Sequence, residues 1–196
     1  MMSVLVVIPA RYASSRYPGK PLVALKGASG TAKTLIRRSW EAAQAVQGVA
    51  RVVVATDDDC IRLEAESFGA EVVMTSAACA NGTERVAEAC AILGGGHDIV
   101  VNLQGDAPLT PAWFVEDLVA GLIANPWAEL ATPVLRCEGA MLAGLIEDRR
   151  NGRVGGVHLH RHPAGHGDQR EMLLAEGLER GAFQGFRELR ALRIAG

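Results

Sequence analysis

Three cations lie in a short loop that follows the first apolar run of the sequence. Arg11, Arg16 and Lys20 are spread over the stretch PARYASSRYPGKP, directly after the aliphatic run at residues 4–8. Small residues between the cations let backbone amides approach phosphate oxygens, and the cations can neutralise charge that develops on an attacked phosphoryl group. The pattern favours binding of a triphosphate. The alternative is a solvated surface loop whose cations are incidental.

A carboxylate follows another apolar run. Asp106 lies in the segment QGDAPL, just beyond the run DIVVNL at residues 98–103. Magnesium binds one or two protein carboxylates and completes its coordination with phosphate and water oxygens. Asp106 is therefore a candidate ligand for Mg²⁺ held against substrate phosphates. The alternative is that Gly-Asp-x-Pro is ordinary turn chemistry before a helix.

A third group of candidate residues is the segment NGTER at residues 81–85, which opens a stretch of helical period. Asn81 is a typical helix cap. The amides at the start of the helix could also bind a phosphate or a pyrimidine carbonyl. Capping and ligand binding are compatible at this position.

Other groups of residues are better explained without site chemistry. The acidic run at residues 57–59 precedes a helical pattern, where it supplies a cap and an acidic first turn rather than a metal cluster. Residues 27–34 lack the GxxxxGK[ST] spacing of a phosphate-binding loop and indicate a turn and a helix start. The later histidines have no carboxylate or cysteine at ligand spacing, so we expect no metal at His158, His160, His162 and His166.

Apolar runs of strand length alternate with longer stretches of helical period, which is typical of βαβ units around a parallel sheet. The fold class is therefore α/β. The run at residues 4–8, ended by Pro9, predicts a central strand, and its carboxyl end is where such sheets bind ligands. Pro133 predicts a strand near a sheet edge. The predicted strands are 4–8, 51–55, 71–74, 98–103 and 130–135, and the predicted helices are 34–46, 61–68, 83–93 and 111–124.

The pattern weakens beyond residue 136. Residues 138–149 can still be helical, residues 151–168 hold five glycines and no strand-length apolar run, and residues 170–194 favour helix. We therefore divide the chain into a core at residues 1–136 and an atypical, shortened C-terminal segment of the same domain at residues 137–196.

Composition excludes several classes of function. The 20 Lys and Arg against 22 Asp and Glu leave a formal net charge of −2, so no broad positive field exists to gather nucleic acid or anionic lipid. The first apolar run is too short for a signal peptide or a membrane span. The four cysteines show no metal-binding spacing. We expect a cytoplasmic protein with reduced thiols, without nucleic-acid partners or membrane insertion.

The segments VVIPARYASSRYPGKPL, RVVVATDD, EVVMTSAACANGTERVAEA and DIVVNLQGDAPLTP together resemble the successive signatures of the CMP-KDO synthetases, the 3-deoxy-manno-octulosonate (KDO) cytidylyltransferases of lipopolysaccharide synthesis. The resemblance covers residues 2–136. It implies a Rossmann-like nucleotide-diphospho-sugar transferase fold. It also implies transfer of CMP from CTP to KDO with release of pyrophosphate, and a homodimer.

The resemblance also implies roles for individual residues. Arg11, Lys20 and Asp106 would act in catalysis, with Asp106 holding Mg²⁺. The nucleotide would be bound by Pro9, Ala10, Arg11, Arg16, Lys20, Thr75, Ser76, Gly82, Thr83, Arg85 and Gln104.

The C-terminal segment departs from the family pattern, because the late segments that complete the sugar pocket and supply a second metal carboxylate are not recognisable in it. We therefore expect CTP binding to be better preserved than transfer to the sugar. Two alternatives remain open. The chain could be a cytidylyltransferase for another acidic sugar such as a sialic acid, or a CTP-binding remnant without activity.

Overall fold

The computed structural model of the chain describes residues 2–13 and 17–134, the backbone of residues 171–175 and 190–193, and the isolated residues 143 and 147. Strands and helices alternate through most of this part of the chain. The strands are β1 (Val4–Ala10), β2 (Ala24–Lys26), β3 (Ala32–Thr34), β4 (Arg51–Thr56), β5 (Glu71–Met74), β6 (Ile99–Asn102), β7 (Leu130–Val134), β8 (Glu171–Ala175) and β9 (Arg190–Arg193). The helices are α1 (Leu35–Gln44), α2 (Asp59–Ser67), α3 (Gly82–Ile92) and α4 (Ala112–Ala124), and a 3₁₀ turn spans Lys20–Leu22.

β1 is a central strand of the sheet, as its continuous apolar run predicts. All seven of its residues are buried, because strands pair with both of its edges and helices cover both of its faces. β4 pairs with it in parallel as far as Ala10 opposite Thr56. β6 pairs in parallel with its first half, as far as Val7 opposite Asn102.

Seven strands form one sheet in the order β5-β4-β1-β6-β9-β7-β8. β5, β4, β1 and β6 are parallel neighbours. β9 is antiparallel to both β6 and β7, and β8 is antiparallel to β7. Five strands therefore run in one direction and two in the other, which confirms the α/β class and the mostly parallel sheet. The carboxyl ends of β1, β4, β5 and β6 meet at one edge, where open α/β sheets bind ligands.

The two faces of the sheet are covered by different helices. Successive side chains of a strand point to opposite faces. Val6 and Ile8 of β1 pack in a core with α1, α2 and α4. Leu5 and Val7 pack in a second core with α3. α3 is thus held against the sheet from the opposite side to α1, with its first residues at the carboxyl edge.

Helix ends lie where capping residues were predicted. Asp58 Oδ1 accepts a hydrogen bond from Ile61 N at the start of α2 (3.0 Å), and Asn81 Oδ1 accepts one from Glu84 N at the start of α3 (3.0 Å). Gly69, with φ of 85°, follows α2 and ends it. These contacts confirm the interpretation of residues 57–59 as a helix start.

Two segments differ from the prediction. Residues 27–34 do form a turn before α1, but β3 also pairs with β2 in an antiparallel hairpin. The helix predicted over residues 170–194 is wrong, because β8 and β9 lie in this range. Both strands add to the sheet beside β6 and β7, and this non-local pairing overrides a weak local preference for helix.

The strand with Pro133 lies next to the edge strand β8. Pro133 is opposite Met172 of β8. It lies beyond Leu130 and Ala131, which pair with β9. Among the described residues, Pro133 has a partner in β8 alone, and such a position suits a residue that has no N–H to donate.

The remaining predictions for the C-terminal segment fall mostly outside the described residues. They concern the possible helix at 138–149 and the histidines at 158–166. No helix in the described part of the chain combines the length and the apolar character needed to cross a membrane.

Candidate active site

β1, β6 and α3 bring their ends close together at the carboxyl edge of the sheet. A Cβ atom placed on Gly82, the first residue of α3, would lie 3.3 Å from Pro9 Cγ and 3.3 Å from Gln104 Nε2. A Cβ atom on Gly105 would lie 3.0 Å from the carbonyl oxygen of Pro9. Glycine allows these close approaches. We name Pro9, Gly82, Gln104 and Gly105 the strand-end cradle.

Hydrogen bonds with two buried residues, one an acceptor and one a donor, hold the cradle in place. Gln104 Nε2 donates to Oδ1 of Asn102, the last residue of β6 (2.9 Å). Ser39 Oγ, on α1, donates to the carbonyl oxygen of Gly105 (3.0 Å). Asn102 and Ser39 are almost wholly buried. Sequence analysis did not single out either residue, although a polar residue that ends an apolar strand was a usable signal.

Lys20 and Asp106 form an ion pair beside the cradle. Lys20 Nζ lies 2.6 Å from Asp106 Oδ2, and each side chain is 46% exposed. The first loop returns toward the sheet because Gly19 adopts a φ of 68° and donates its N–H to the carbonyl oxygen of Tyr12 (2.9 Å). Two of the three residues predicted to act in catalysis are therefore in contact and accessible.

The other predicted residues of the first loop have different surroundings. Ala10 is buried at the end of β1, next to Pro9 of the cradle. Arg11 follows it and is exposed, so its guanidinium is accessible to a ligand at this edge. Arg16 lies outside the described residues.

Arg85 is buried near the start of α3, with 2% of its surface exposed. Its guanidinium lies 3.2 Å from Asp57 Oδ2 and donates a hydrogen bond to Thr75 Oγ1. Thr75 N in turn donates to the carbonyl oxygen of Thr56, at the end of β4 (2.8 Å). A buried cation at the positive end of a helix dipole is unfavourable unless it is paired, and Asp57 supplies the compensating charge. The sequence did not indicate that Asp57 pairs with Arg85, because a helix cap and an acidic first turn already account for the acidic run at residues 57–59.

Ser76 lies in the loop that leads into α3, and Thr83 is the second residue of that helix and is partly buried. Ser76 is exposed, and its N–H donates to Glu88 Oε1 (2.8 Å). Cys79 Sγ donates to Glu88 Oε2 (2.8 Å). The hydrogen bond from Cys79, followed by that from Ser76, lowers the pKa of Glu88. Burial, assisted by the Glu88 carboxylate, raises the pKa of Cys79 to about 11, so this thiol stays protonated at neutral pH and is a poor nucleophile.

The carboxylate of Asp106 fits the requirements of a magnesium ion that arrives with a triphosphate. It is half exposed, and one carboxylate is enough when phosphate and water oxygens complete the coordination. Among residues 2–13 and 17–134, no group of three or more acidic, histidine or cysteine side chains could hold a metal ion.

Comparison with known proteins identifies close relatives. The chain matches the model of a family described as cytidylyltransferase over residues 5–191. It is 46% identical over 156 residues to the 3-deoxy-manno-octulosonate cytidylyltransferase of Maricaulis maris (strain MCS10), which covers 80% of the chain and 58% of that protein. It is 44% identical over 133 residues to the 8-amino-3,8-dideoxy-manno-octulosonate cytidylyltransferase of Shewanella frigidimarina (strain NCIMB 400), which covers 67% of the chain and 52% of that protein.

A solved structure has the same fold. It is CMP:2-keto-3-deoxy-manno-octonic acid synthetase complexed with CTP, with a TM-score of 0.65, 29% identity, and coverage of 97% of this chain and 74% of that one. This likeness confirms the predicted Rossmann-like fold. The chain spans about half the length of the curated relatives that it matches.

Proposed function

The chain belongs to the cytidylyltransferase family, and from this premise we propose that it transfers CMP from CTP to KDO, giving CMP-KDO and pyrophosphate. The observation that carries the proposal is the contact between Lys20 and Asp106 beside the strand-end cradle. A cation for phosphate and a carboxylate for a metal stand together there, at the edge where such sheets bind ligands. The solved neighbour was determined with CTP.

In the proposed reaction, the anomeric hydroxyl oxygen of the sugar attacks the α-phosphorus of CTP. A new oxygen–phosphorus bond forms, the bond from the α-phosphorus to the bridging oxygen breaks, and that oxygen leaves with pyrophosphate. The hydroxyl proton passes to solvent. Phosphoryl transfer of this kind depends on positioning and on neutralisation of charge. The exposed cations Lys20 and Arg11 are suited to neutralise the phosphate oxygens.

We propose Mg²⁺ as the cofactor, held by Asp106. When bound, it would supply positive charge that offsets the negative charge of the substrate phosphates. Lys20 would exchange Asp106 for a phosphate oxygen, and the Asp106 carboxylate would hold the metal.

The nucleoside is proposed to lie at the strand-end cradle, beside the first turn of α3. The absence of a side chain at Gly82 lets the start of α3 pack closely against Pro9 and Gln104, so these three residues lie side by side. The amides at the start of α3 carry the positive end of the helix dipole. The residues that we propose as nucleotide contacts are Pro9, Ala10, Arg11, Arg16, Lys20, Thr75, Ser76, Gly82, Thr83, Arg85 and Gln104. Arg85 is itself buried and bonded to Thr75. We also propose a homodimer, which sedimentation equilibrium can test.

The acidic sugar is the part of the proposal that needs the sharpest test. Relatives named for KDO and for 8-amino-3,8-dideoxy-manno-octulosonate match the chain with nearly equal identity, 46% and 44%. We propose KDO as the substrate, with the amino sugar as the second candidate. The release of pyrophosphate from CTP should be measured in the presence of Mg²⁺, with KDO, the amino sugar and a sialic acid in parallel assays. Faster release with either alternative would reassign the substrate.

Asp106→Asn is the matched variant for this assay. It keeps the size of the side chain and removes the charge that would hold the metal, so we expect a loss of at least about 100-fold in turnover, in the range found when one electrostatic contact to a transition state is removed. The thermal unfolding midpoint should change little, because the ion pair with Lys20 is half exposed. Unchanged turnover at saturating Mg²⁺ would remove Asp106 from the site. CTP binding without release of pyrophosphate in the presence of any of the three sugars would favour a CTP-binding remnant without activity.

A further inference from the structure

The loop between β5 and α3 (residues 75–81, the β5–α3 loop) is held mainly through its backbone amides. Thr75 N donates to the carbonyl oxygen of Thr56 (2.8 Å). Ala78 N donates to Ser76 Oγ (3.0 Å), and Cys79 N donates to the carbonyl oxygen of Ser76 (3.3 Å). The loop therefore has a defined conformation, although its residues are largely exposed.

Two glutamates of α3 hold this loop from the helix side. Glu84 and Glu88 are four residues apart, so their side chains lie on one face of the helix, and helical side chains tilt toward the N-terminus. Glu84 Oε2 accepts a hydrogen bond from Ala80 N (2.8 Å), and its Oε1 accepts one from Asn81 Nδ2 (2.9 Å). Glu84 thus holds the end of the loop that adjoins the helix.

Glu88 holds the other half of the loop. Its Oε1 accepts from Ser76 N and its Oε2 accepts from Cys79 Sγ, both at 2.8 Å. Both carboxylate oxygens are therefore directed at the loop. The residues of α3 that are buried in the fold are Arg85, Val86 and Ala89, whereas Glu88 is partly exposed. The core does not need a carboxylate at this position.

We infer that Glu88 is a positioning residue for nucleotide binding, which fixes the β5–α3 loop in the conformation that meets the nucleoside of CTP. The inference rests on the proposed function, in which Thr75 and Ser76 lie against the nucleoside. Ser76 is bonded directly to Glu88. Thr75 directly precedes Ser76 in the chain and is hydrogen-bonded to the buried Arg85. A shift of the Ser76 backbone would therefore also move Thr75 and disturb its contact with Arg85. Glu88 itself need not touch the nucleotide.

Calorimetry and steady-state kinetics with Glu88→Ala test the inference. We expect the Kd and the KM for CTP to rise about ten-fold, as for loss of a charge-assisted hydrogen bond, with kcat within about two-fold of the wild-type value. Glu88→Gln keeps an oxygen that can accept from Ser76 N, and it should show a smaller rise. Glu66→Ala is the control. It removes a glutamate of α2 that pairs with Arg62 and should leave the KM unchanged.

Labelling of Cys79 gives a second measurement that needs no activity. Alkylation by iodoacetamide should be followed at this residue by peptide mass spectrometry, at neutral pH and without ligand. Removal of the carboxylate exposes the thiol and lowers its pKa, so we expect labelling about ten-fold faster in Glu88→Ala than in the wild type. Equal thermal unfolding midpoints for wild type and both Glu88 variants would show that the rest of the fold keeps its stability, so that faster labelling reports release of the loop.

The outcomes are distinguishable. Faster labelling together with a higher KM supports the inference. Faster labelling with unchanged Kd and KM overturns it, because a released loop would then have no effect on the nucleotide. Unchanged labelling also overturns it, because Glu88 would then not hold the loop. Failure of the proposed function is seen in the wild type itself, as absence of CTP binding, whatever the variants do.

Discussion

Lys20 and Asp106 form an ion pair in which the two charges neutralise each other. The contact is short, but both side chains are 46% exposed. An exposed ion pair contributes about 0–1 kcal/mol to folding, because water screens the charges and both side chains lose freedom. The pair is therefore weak enough to be replaced by stronger partners, a phosphate for the lysine and a metal ion for the carboxylate. The ion pair therefore contributes little to the stability of the fold, and its position at the carboxyl edge of the sheet is better explained by ligand binding.

A comparison of two lysines tests this interpretation. Lys20→Ala should raise the KM for CTP by about ten-fold or more, because a charge-assisted contact to phosphate is lost. Lys33→Ala is the matched control, since Lys33 Nζ is bonded to both carboxylate oxygens of Glu41 at 2.8 Å and belongs to the β2–β3 hairpin. Initial rates over a range of CTP concentrations give the answer. A larger effect at Lys33 would mean that the wrong loop has been assigned to the phosphates.

At the scale of elements, short local contacts attach the hairpin to the helix that follows it. Glu41 of α1 accepts hydrogen bonds from Lys33 at the end of the hairpin and from Arg37 one turn earlier in the helix. The bond from Lys33, together with that from Arg37, lowers the pKa of Glu41 below its ordinary value of 4.5, although partial burial opposes the shift. The hairpin and α1 are therefore joined by a contact that depends on pH.

The sign of this dependence follows from the lowered pKa. A carboxyl group whose pKa is lower in the folded state stabilises the fold above its ordinary pKa, and this stability is lost as the pH falls below about 4.5. We expect Glu41→Gln to reduce the free energy of unfolding by about 0.5 kcal/mol at pH 7, since the group is partly exposed, and by about nothing at pH 3. Urea unfolding at the two pH values measures this. In a Lys33→Ala background the difference should shrink, and a full effect there would assign the contribution elsewhere.

At the scale of the whole molecule, the proposed nucleotide site joins parts of the chain that are distant in sequence. Pro9 lies near the end of β1, Gly82 begins α3, and Gln104 follows β6, yet a Cβ atom on Gly82 would lie 3.3 Å from both Pro9 and Gln104. A ligand that contacts all three elements binds the folded chain and not the unfolded one. Binding therefore adds to the stability of the fold as a whole.

Thermal unfolding with added nucleotide tests this coupling. At a CTP concentration 100-fold above Kd, binding adds about 2.7 kcal/mol, which should raise the Tm by about 5–10 °C for a domain of this size. ATP with Mg²⁺ offers the same phosphates and a different base, so its shift should be smaller. Differential scanning calorimetry suffices. No shift with millimolar CTP, or an equal shift with ATP, would contradict a cytidine site in this chain.

Some of the site could be predicted from sequence because its determinants are local. The buried run of β1 and the caps Asp58 and Asn81 depend on residues within a few positions of one another, so hydrophobic periodicity and capping chemistry find them. The same is true of the loops that carry Lys20 and Asp106, which follow apolar strands. The strands at 171–175 and 190–193 were not predictable in this way, since they form by pairing with strands distant in sequence.

The α/β class, most of the elements and the residue types available at the carboxyl edge of the sheet follow from local sequence pattern. Which of these residues meet depends on the tertiary structure. Lys20 reaches Asp106 across 86 positions of the chain. Arg85 is buried against Asp57 rather than exposed. Glu88 turns back to hold Ser76 and Cys79. Such contacts depend on strand order and on the face that each helix covers, and non-local packing sets both.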